Sequence, residues 1–168
     1  MIVETERLTL RPATLDDVDA YAVFRAHPFV TMTLKLRFGE DPHENATRYI
    51  LMFEECWQSR GYGPWIAIER ATGRLVGQVG LRYLSEFDET EILWAMHPDV
   101  WGRGYATEGA EAACDHGFDA LNLDYLIALA MPSNRASIRV MDKLGMNPAG
   151  EVDFNGCRVA RYLLLRPA

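Results

Sequence analysis

The order of the predicted elements indicates an α/β fold with a mostly antiparallel central sheet. Three observations carry this prediction: short turns join three consecutive strand-like segments, one alanine-rich helix separates two strand-like segments, and an Asn-Gly pair joins the last two. The segments add up to about seven strands and about four helices in a single domain over residues 1–168. The crossover helix places the fourth and fifth strands side by side in parallel.

The first third of the chain predicts one strand and two helices. Residues 7–12 alternate leucine with polar residues, which is the period of a strand. Residues 14–26 predict a helix, and the irregular residues 29–41 predict a loop. A second helix follows, because Asp41 is a typical N-cap and Pro42 suits the first helical position.

The remainder of the chain predicts six strands and two helices. Short apolar or alternating runs predict strands, and longer runs with caps predict helices. The predicted strands cover residues 64–70, 74–84, 90–96 and 124–131 and two halves of residues 149–166; the predicted helices cover residues 105–121 and 132–145. The turn at Asn155 and Gly156 is typical of a two-residue hairpin.

Composition narrows the class of protein. The net charge of -7 argues against nucleic-acid binding, which depends on clustered cations. No secretory signal and no apolar run of membrane-spanning length is present. The three cysteines are widely spaced and predict neither a disulfide framework nor a metal site. These observations predict a cytoplasmic protein without a nucleic-acid, membrane or metal partner.

The junction between the fourth strand and the crossover helix carries the clearest chemical signal. Gly102 and Gly104 allow the backbone to turn sharply and to approach a ligand closely. The first N–H groups of the helix lack intrahelical partners, so this glycine loop (residues 101–104) predicts an anion site, above all for a pyrophosphate. It is not a Walker A loop, and Thr107 stands where the dinucleotide fingerprint has its third glycine.

The glycine loop resembles that of the GNAT superfamily of N-acetyltransferases, which reads Gln/Arg-x-x-Gly-x-Gly/Ala. Trp101 occupies the first position of the frame, which is a departure from the usual Gln or Arg. The segment HPDVWGRGYATEGA is similar to the corresponding sequence of the Rim-type branch, whose members acetylate the N-termini of ribosomal proteins. A second family motif follows after the next strand, with Asn134, Ser137, Val140, Lys143, Gly145 and Met146 in place.

The resemblance implies a mixed sheet that splays between the fourth and fifth strands and binds acetyl-CoA there. The backbone of about Trp94 to His97, mostly that of Met96 and His97, would pair with the pantetheine arm, although the same segment is also compatible with a plain core strand. Arg103 is either a cation for the phosphates or a solvated loop charge. The implied cofactor-binding residues are Met96, His97, Trp101, Gly102, Arg103, Gly104, Tyr105, Ala106, Thr107, Asn134, Ser137 and Lys143.

The resemblance also implies roles on the helix after the fifth strand. Asn134 would contact the pantetheine or its waters, or serve only as a helix cap. Ser137 would lie near the thioester sulfur and protonate the thiolate, or be a small helix residue. Met141 stands where many members have a tyrosine acid, so that acid is absent.

Glu91 is the predicted general base. An amine is largely protonated at pH 7, so a group must accept its proton before it attacks a thioester. Glu91 matches the position of the catalytic glutamate of several family members, but it also reads as a surface charge on a strand. Glu86, Glu89 and His97 are the other candidates. No Ser-His-Asp or cysteine relay is legible, which favours direct transfer in a ternary complex.

The predicted function is acetyl transfer from acetyl-CoA to a primary amine, either a protein N-terminal α-amine or a small-molecule amine. Glu86, Asp88, Glu89 and Glu91 form an acidic cluster that would favour a cationic amine, or else an exposed acidic turn. The alternative is a non-catalytic acyl-CoA-binding module. A nucleotide enzyme is disfavoured because no Walker or metal element is present. A homodimer that closes a sheet edge is compatible with this architecture.

Overall fold

The computed structural model describes residues 1–34 and 41–167, which form eight strands and five α-helices. The strands are β1 (Val3–Glu4), β2 (Leu8–Arg11), β3 (Pro64–Glu69), β4 (Leu75–Leu84), β5 (Glu89–Met96), β6 (Tyr125–Ala130), β7 (Asn147–Phe154) and β8 (Cys157–Leu165). The helices are α1 (Val18–Ala26), α2 (Pro28–Thr33), α3 (Pro42–Arg60), α4 (Tyr105–Asp115) and α5 (Arg135–Lys143). A π-helical turn, His116–Ala120, extends α4.

The strands form one sheet in the order β1-β2-β3-β4-β5-β6-β8-β7. Every neighbouring pair is antiparallel except β5 and β6, which are parallel and joined by the crossover through α4. The predicted α/β fold with a mostly antiparallel sheet is therefore confirmed. Strand β1 and helix α2 bring the totals above the predicted seven strands and four helices.

Helix α2 corrects the prediction of a loop over residues 29–41. Pro28 occupies its first position, where the fixed φ of proline suits a helix and the missing N–H costs no hydrogen bond. Val30 anchors the helix in the core, with 2% of its surface exposed. Six residues are too few to show a helical period in the sequence. The rest of the predicted loop, residues 35–40, lies outside the described residues.

The separation of β5 from β6 is the feature that makes room for a site. The two strands pair at a single position, Glu91 with Ile127, and diverge beyond it. The predicted splay between the fourth and fifth strands of the sequence is this gap. His97 donates its N–H to Val76 O at 2.7 Å, on the β4 side. Because alternate residues of a strand face opposite neighbours, the backbone groups of Trp94 and Met96 face the gap.

Helices cover both faces of the sheet. On one face α4 and the π-helical turn pack on the central strands, and on the other α1, α2 and α3 form a second core. Ala110 and Ala113 are fully buried, and a Cβ at Gly109 would come within 3.0 Å of Val79 Cγ1. This row of small residues lets α4 lie close to the sheet, which fixes the position of its N-terminus at the end of β5.

The predicted turn and cap at two other places are confirmed. Asp41 begins α3 and its side chain accepts hydrogen bonds from His43 N and Glu44 N. The β7–β8 hairpin turns at Asn155 and Gly156, with φ values of 49° and 71°, as a two-residue hairpin with both residues left-handed requires. Among the helices of the described residues, none is both long enough and apolar enough to span a membrane.

Candidate active site

A cavity of about 320 Å³ opens where β5 and β6 diverge. It lies between the end of β5, the glycine loop, the first turn of α4 and one face of α5. Its size is within the usual range for small-molecule sites. The lining residues are Val30, Trp94, Ala95, Met96, Val100, Trp101, Gly102, Gly104, Tyr105, Ala106, Thr107, Asn134, Ala136, Ser137, Arg139, Val140 and Lys143. Ten of the twelve predicted cofactor-binding residues are among them.

The glycine loop and the start of α4 supply backbone donors to this cavity. Gly102 and Gly104 have φ values of 72° and 85°, in the left-handed region that other residues rarely adopt. Helix α4 begins at Tyr105, so the N–H groups of Tyr105, Ala106 and Thr107 have no intrahelical acceptor. The positive end of the helix dipole adds to these donors. This end of the cavity therefore suits a phosphate or pyrophosphate group.

Helix α5 lines the opposite side of the cavity with one face. Ala136, Arg139, Val140 and Lys143 lie at the i, i+3, i+4 and i+7 positions of that face. Two of them are cations, which suits a ligand with several negative charges. Arg139 was missed in the sequence, although its spacing from Lys143 would have identified it once α5 was placed against the site.

Asn134 is both a helix cap and a residue of the cavity wall, and Ser137 lies beside it. The Asn134 side chain accepts a hydrogen bond from Ser137 N at 3.1 Å and so caps α5. Both residues also line the cavity. The cap therefore holds Asn134 and Ser137 at the mouth of the gap, where either side chain can reach a ligand.

Two contacts of the Trp101 side chain explain why a tryptophan stands at the first position of the motif. Its indole N–H donates to Met96 O at 2.7 Å, across the open edge of β5. Its ring lies 5.7 Å from the ring of Phe29 on α2. The side chain is half-exposed at the rim of the cavity and connects the glycine loop to the helix on the other face of the sheet.

His97 and Arg103 are the two predicted cofactor-binding residues whose side chains do not line the cavity. His97 Nδ1 accepts from Asp99 N at 3.2 Å, and burial lowers the pKa of its imidazole. The guanidinium of Arg103 contacts Glu69 at 3.3 Å and the Tyr105 hydroxyl at 3.1 Å. Each side chain therefore turns toward a protein partner.

Glu91 lies at the vertex of the gap, at the last position where β5 pairs with β6. Its carboxylate accepts two hydrogen bonds from the guanidinium of Arg82. The residue is 4% exposed and does not line the cavity. Burial raises the pKa of this carboxyl, and the nearby Arg82 charge offsets the increase only in part.

The predicted acidic cluster is partly neutralised. Glu89 forms an ion pair with Arg161 of β8, and the Tyr83 hydroxyl donates to Asp88. The ion pairs of Glu89 and Glu91 leave less net negative charge for a cationic acceptor than the sequence suggests, whereas the hydrogen bond from Tyr83 leaves the charge of Asp88 in place. Within the described residues, no group of His, Cys, Asp or Glu side chains is arranged to hold a metal ion.

Comparison with known proteins identifies the family. A family model for the GNAT acetyltransferase domain matches residues 7–147. The chain belongs to the GNAT family and is an acetyltransferase. YkkB of Bacillus subtilis (strain 168) is 39% identical over 70% of this chain and 84% of its own. The N-acetyltransferase YoaA of the same organism is 31% identical, over 89% of this chain and 84% of its own.

Solved structures share the whole architecture. An acetyltransferase of Agrobacterium tumefaciens str. C58 superposes with a TM-score of 0.85 at 29% identity and covers 98% of this chain and 94% of its own. A ribosomal-protein-S5-alanine acetyltransferase of Vibrio fischeri superposes with a TM-score of 0.83, over 99% of this chain and 97% of its own. At 18% identity the second likeness shows the fold alone. The GNAT family is thus shown, whereas the Rim-type branch remains a prediction.

Proposed function

We propose that this protein transfers an acetyl group from acetyl-CoA directly to a primary amine in a ternary complex. One observation carries the proposal: the donors of the glycine loop, the N-terminus of α4 and the open edge of β5 meet in a single cavity. A pyrophosphate needs the first two features, and an amide-containing arm needs the third. Acetyl-CoA combines both requirements in one molecule.

The cofactor fits the residues that line the cavity. The N–H groups of Gly102, Gly104 and the first turn of α4 would hold the pyrophosphate, and Arg139 and Lys143 would attract the remaining negative charge. The backbone of Trp94 faces the gap and would pair with the pantetheine arm. Met96 O already accepts a hydrogen bond from the Trp101 indole. It would pair with the arm either by accepting a second hydrogen bond or after the indole has moved away.

The chemistry requires two proton movements. The amine nitrogen attacks the thioester carbonyl and loses a proton, while the carbon–sulfur bond breaks and the thiolate gains one. Glu91 would accept the amine proton through water, since its pKa is raised toward the working pH and it lies at the vertex of the gap. Ser137, on the α5 side of the cavity, would donate to the thiolate.

The cysteines favour direct transfer over an acyl-enzyme. Cys56, Cys114 and Cys157 all lie outside the set of residues that line the cavity. Burial raises the pKa of the Cys114 thiol to about 12, which keeps it protonated and poorly nucleophilic. A covalent intermediate would need a thiolate at the site.

A second candidate function is a non-catalytic module that binds acyl-CoA. The burial of Glu91 and its pairing with Arg82 favour it, because a base sealed in this way would not reach an amine. The cavity would then bind the cofactor without turnover.

The acceptor belongs to the same proposal. One relative, from Escherichia coli (strain K12), is named a spermidine N(1)-acetyltransferase and is 33% identical over 46% of this chain. The Vibrio fischeri protein is named a ribosomal-protein-S5-alanine acetyltransferase. Both a small-molecule amine and a protein N-terminal α-amine therefore remain acceptors to be tested.

A thiol-release assay over a panel of acceptors tests the proposal. The panel contains peptides with free N-termini, matched N-acetylated peptides, and small primary amines, and acetyl-CoA binding is measured in parallel. Acetyl-CoA binding with amine-dependent thiol release supports the transferase. Binding without release by any amine supports the binding module. Absence of binding refutes both.

A further inference from the structure

The glycine loop is contacted from its outer side by Arg7, which immediately precedes β2. Arg7 Nη1 donates to Arg103 O at 2.6 Å. Its guanidinium lies 4.7 Å from the centre of the Tyr105 ring. A Cβ added at Gly104 would come within 3.2 Å of Arg7 Nη2. Arg7 therefore lies against the end of the glycine loop and the first residue of α4.

Glu108 fixes Arg7 in this position. Arg7 Nε donates to Glu108 Oε2 at 2.6 Å, and Arg7 N donates to Oε1 at 2.7 Å. The Thr5 hydroxyl also donates to Oε1, at 2.6 Å. Glu108 belongs to the first turn of α4, where a carboxylate interacts favourably with the helix dipole. The chain start, the glycine loop and α4 are thereby joined by one arginine.

The hydrogen bond to Arg103 O has a direct consequence for the ligand side of the loop. The C=O of Arg103 and the N–H of Gly104 belong to one planar peptide group, and in a trans peptide they point in opposite directions. Arg7 holds the C=O on the outer side, so the N–H of Gly104 is directed to the other side. Gly104 lines the cavity on that side.

The loop has need of such an anchor. Two glycines give it the φ values that it requires, but they also leave it free to adopt many other conformations. When only a fraction of molecules holds the binding-competent conformation, the apparent affinity falls by that fraction. An external hydrogen bond to the loop raises the competent fraction without touching the ligand.

We propose that Arg7 is a positioning residue that orients the Gly104 N–H toward the pyrophosphate of acetyl-CoA. The inference rests on the proposed function, because it assumes that acetyl-CoA occupies the cavity. It assigns to the N-terminal segment, which lies outside the cavity, a role in cofactor affinity and none in the chemical step.

The test compares Arg7→Ala with the matched control Arg70→Ala. Arg70 Nη1 anchors the same N-terminal segment by donating to Thr5 O at 2.8 Å, but its side chain is directed to residues 4–6 and away from the loop. The dissociation constant of acetyl-CoA is measured by calorimetry, and KM and kcat with any amine that the panel identifies.

Arg7→Ala should raise the dissociation constant and KM for acetyl-CoA about tenfold, as expected if the competent fraction of the loop falls to about one tenth. The kcat at saturation should change less than about twofold, because the bound loop is the same. Arg70→Ala should bind as the wild type does. Arg7→Lys should recover part of the affinity, since one ammonium group can still donate to Arg103 O.

Equal affinities for Arg7→Ala and Arg70→Ala would overturn the inference, as would a fall in kcat with unchanged KM. If Arg7→Ala does not fold, Glu108→Gln provides the comparison: it keeps the size of the side chain, weakens the hold on Arg7 and should raise the dissociation constant about threefold. Failure of the wild type itself to bind acetyl-CoA would refute the proposed function instead.

Discussion

The hydrogen bond from the Trp101 side chain to Met96 O is the most testable contact at the residue scale. The indole N–H donates to Met96 O at 2.7 Å, while the ring packs on Phe29. Trp101→Phe removes the donor and keeps an aromatic ring. We expect the free energy of unfolding in urea to fall by about 1 kcal/mol, the usual net contribution of one hydrogen bond.

Trp101→Leu is the control for this change, because it removes both the donor and the aromatic ring. It should be less stable than Trp101→Phe, since it also weakens the contact with Phe29. A Trp101→Phe variant as stable as the wild type would show that the hydrogen bond to Met96 makes no net contribution.

The second residue-scale prediction concerns the pH dependence of Glu91. Burial raises the pKa of this carboxyl above the ordinary value of 4.5. A base must be ionised, so its activity is lost as the pH falls through its pKa. We expect the acid limb of kcat against pH to lie above 4.5. Glu91→Gln should lower kcat about 100-fold or more and remove that limb.

Glu89→Gln is the matched control for this experiment. Glu89 lies two residues earlier on β5 and is also paired with an arginine, Arg161. It should retain the acid limb. An unchanged pH profile in Glu91→Gln would exclude Glu91 as the base, and loss of the limb in Glu89→Gln would transfer the role to Glu89. Acetyl-CoA affinity should be similar in both variants.

At the scale of the element, alanine substitutions in the glycine loop distinguish the effect of backbone strain from the effect of contacts with Arg7. Gly102 and Gly104 both have positive φ, so alanine at either site carries about 1–2 kcal/mol of backbone strain. A Cβ at Gly102 has no neighbour within 4 Å, whereas a Cβ at Gly104 would lie 3.2 Å from Arg7 Nη2. Gly104→Ala should therefore weaken acetyl-CoA binding more than Gly102→Ala.

Calorimetry with acetyl-CoA measures this difference, and urea unfolding measures the shared strain. Gly61→Ala is the remote control: Gly61 has φ of 73°, ends α3 and lies outside the set of residues that line the cavity. It should be destabilised to a similar extent and bind acetyl-CoA normally. Equal affinities in Gly102→Ala and Gly104→Ala would contradict the importance of the Arg7 contact.

The elements that the sequence predicts well are those with local signals. Helix α3 has a capping aspartate and a proline at its start, and the β7–β8 hairpin has Asn-Gly at its turn. Helix α2 was missed because six residues are too short for a periodic pattern, and β1 because two residues pair only through the sheet. Short elements depend on tertiary contacts, which a linear pattern does not contain.

The site divides in the same way. Backbone donors follow from the glycines and from the helix start, so the loop could be located from the sequence. The directions of the side chains could not be predicted from the sequence, because they depend on partners that are distant along the chain. Arg103 turns to Glu69 on β3, and Glu91 to Arg82 on β4. Arg7 and Glu108 are 101 positions apart in the sequence.

At the scale of the whole molecule, the sheet is two parts joined at a narrow contact. Strands β1–β5 form one part and β6–β8 the other, and their direct pairing is the single position Glu91–Ile127. An ion pair between Glu89 and Arg161 of β8 reinforces this junction. A ligand in the gap would contact β5 and α4 on one side and α5 on the other.

Acetyl-CoA should therefore stabilise the fold as a whole and protect the edge of the gap. At a concentration of 100 times its dissociation constant, a ligand contributes about 2.7 kcal/mol. For a chain of this length each kcal/mol raises Tm by about 2–4 °C, so we expect a shift of about 5–10 °C. Amide exchange should slow more at Trp94 and Met96, whose backbone groups face the gap, than at His97, which already donates to Val76 O. A Tm shift without protection of Trp94 would place the ligand outside the gap, and protection spread evenly over the sheet would indicate general stabilisation without the predicted pairing along β5.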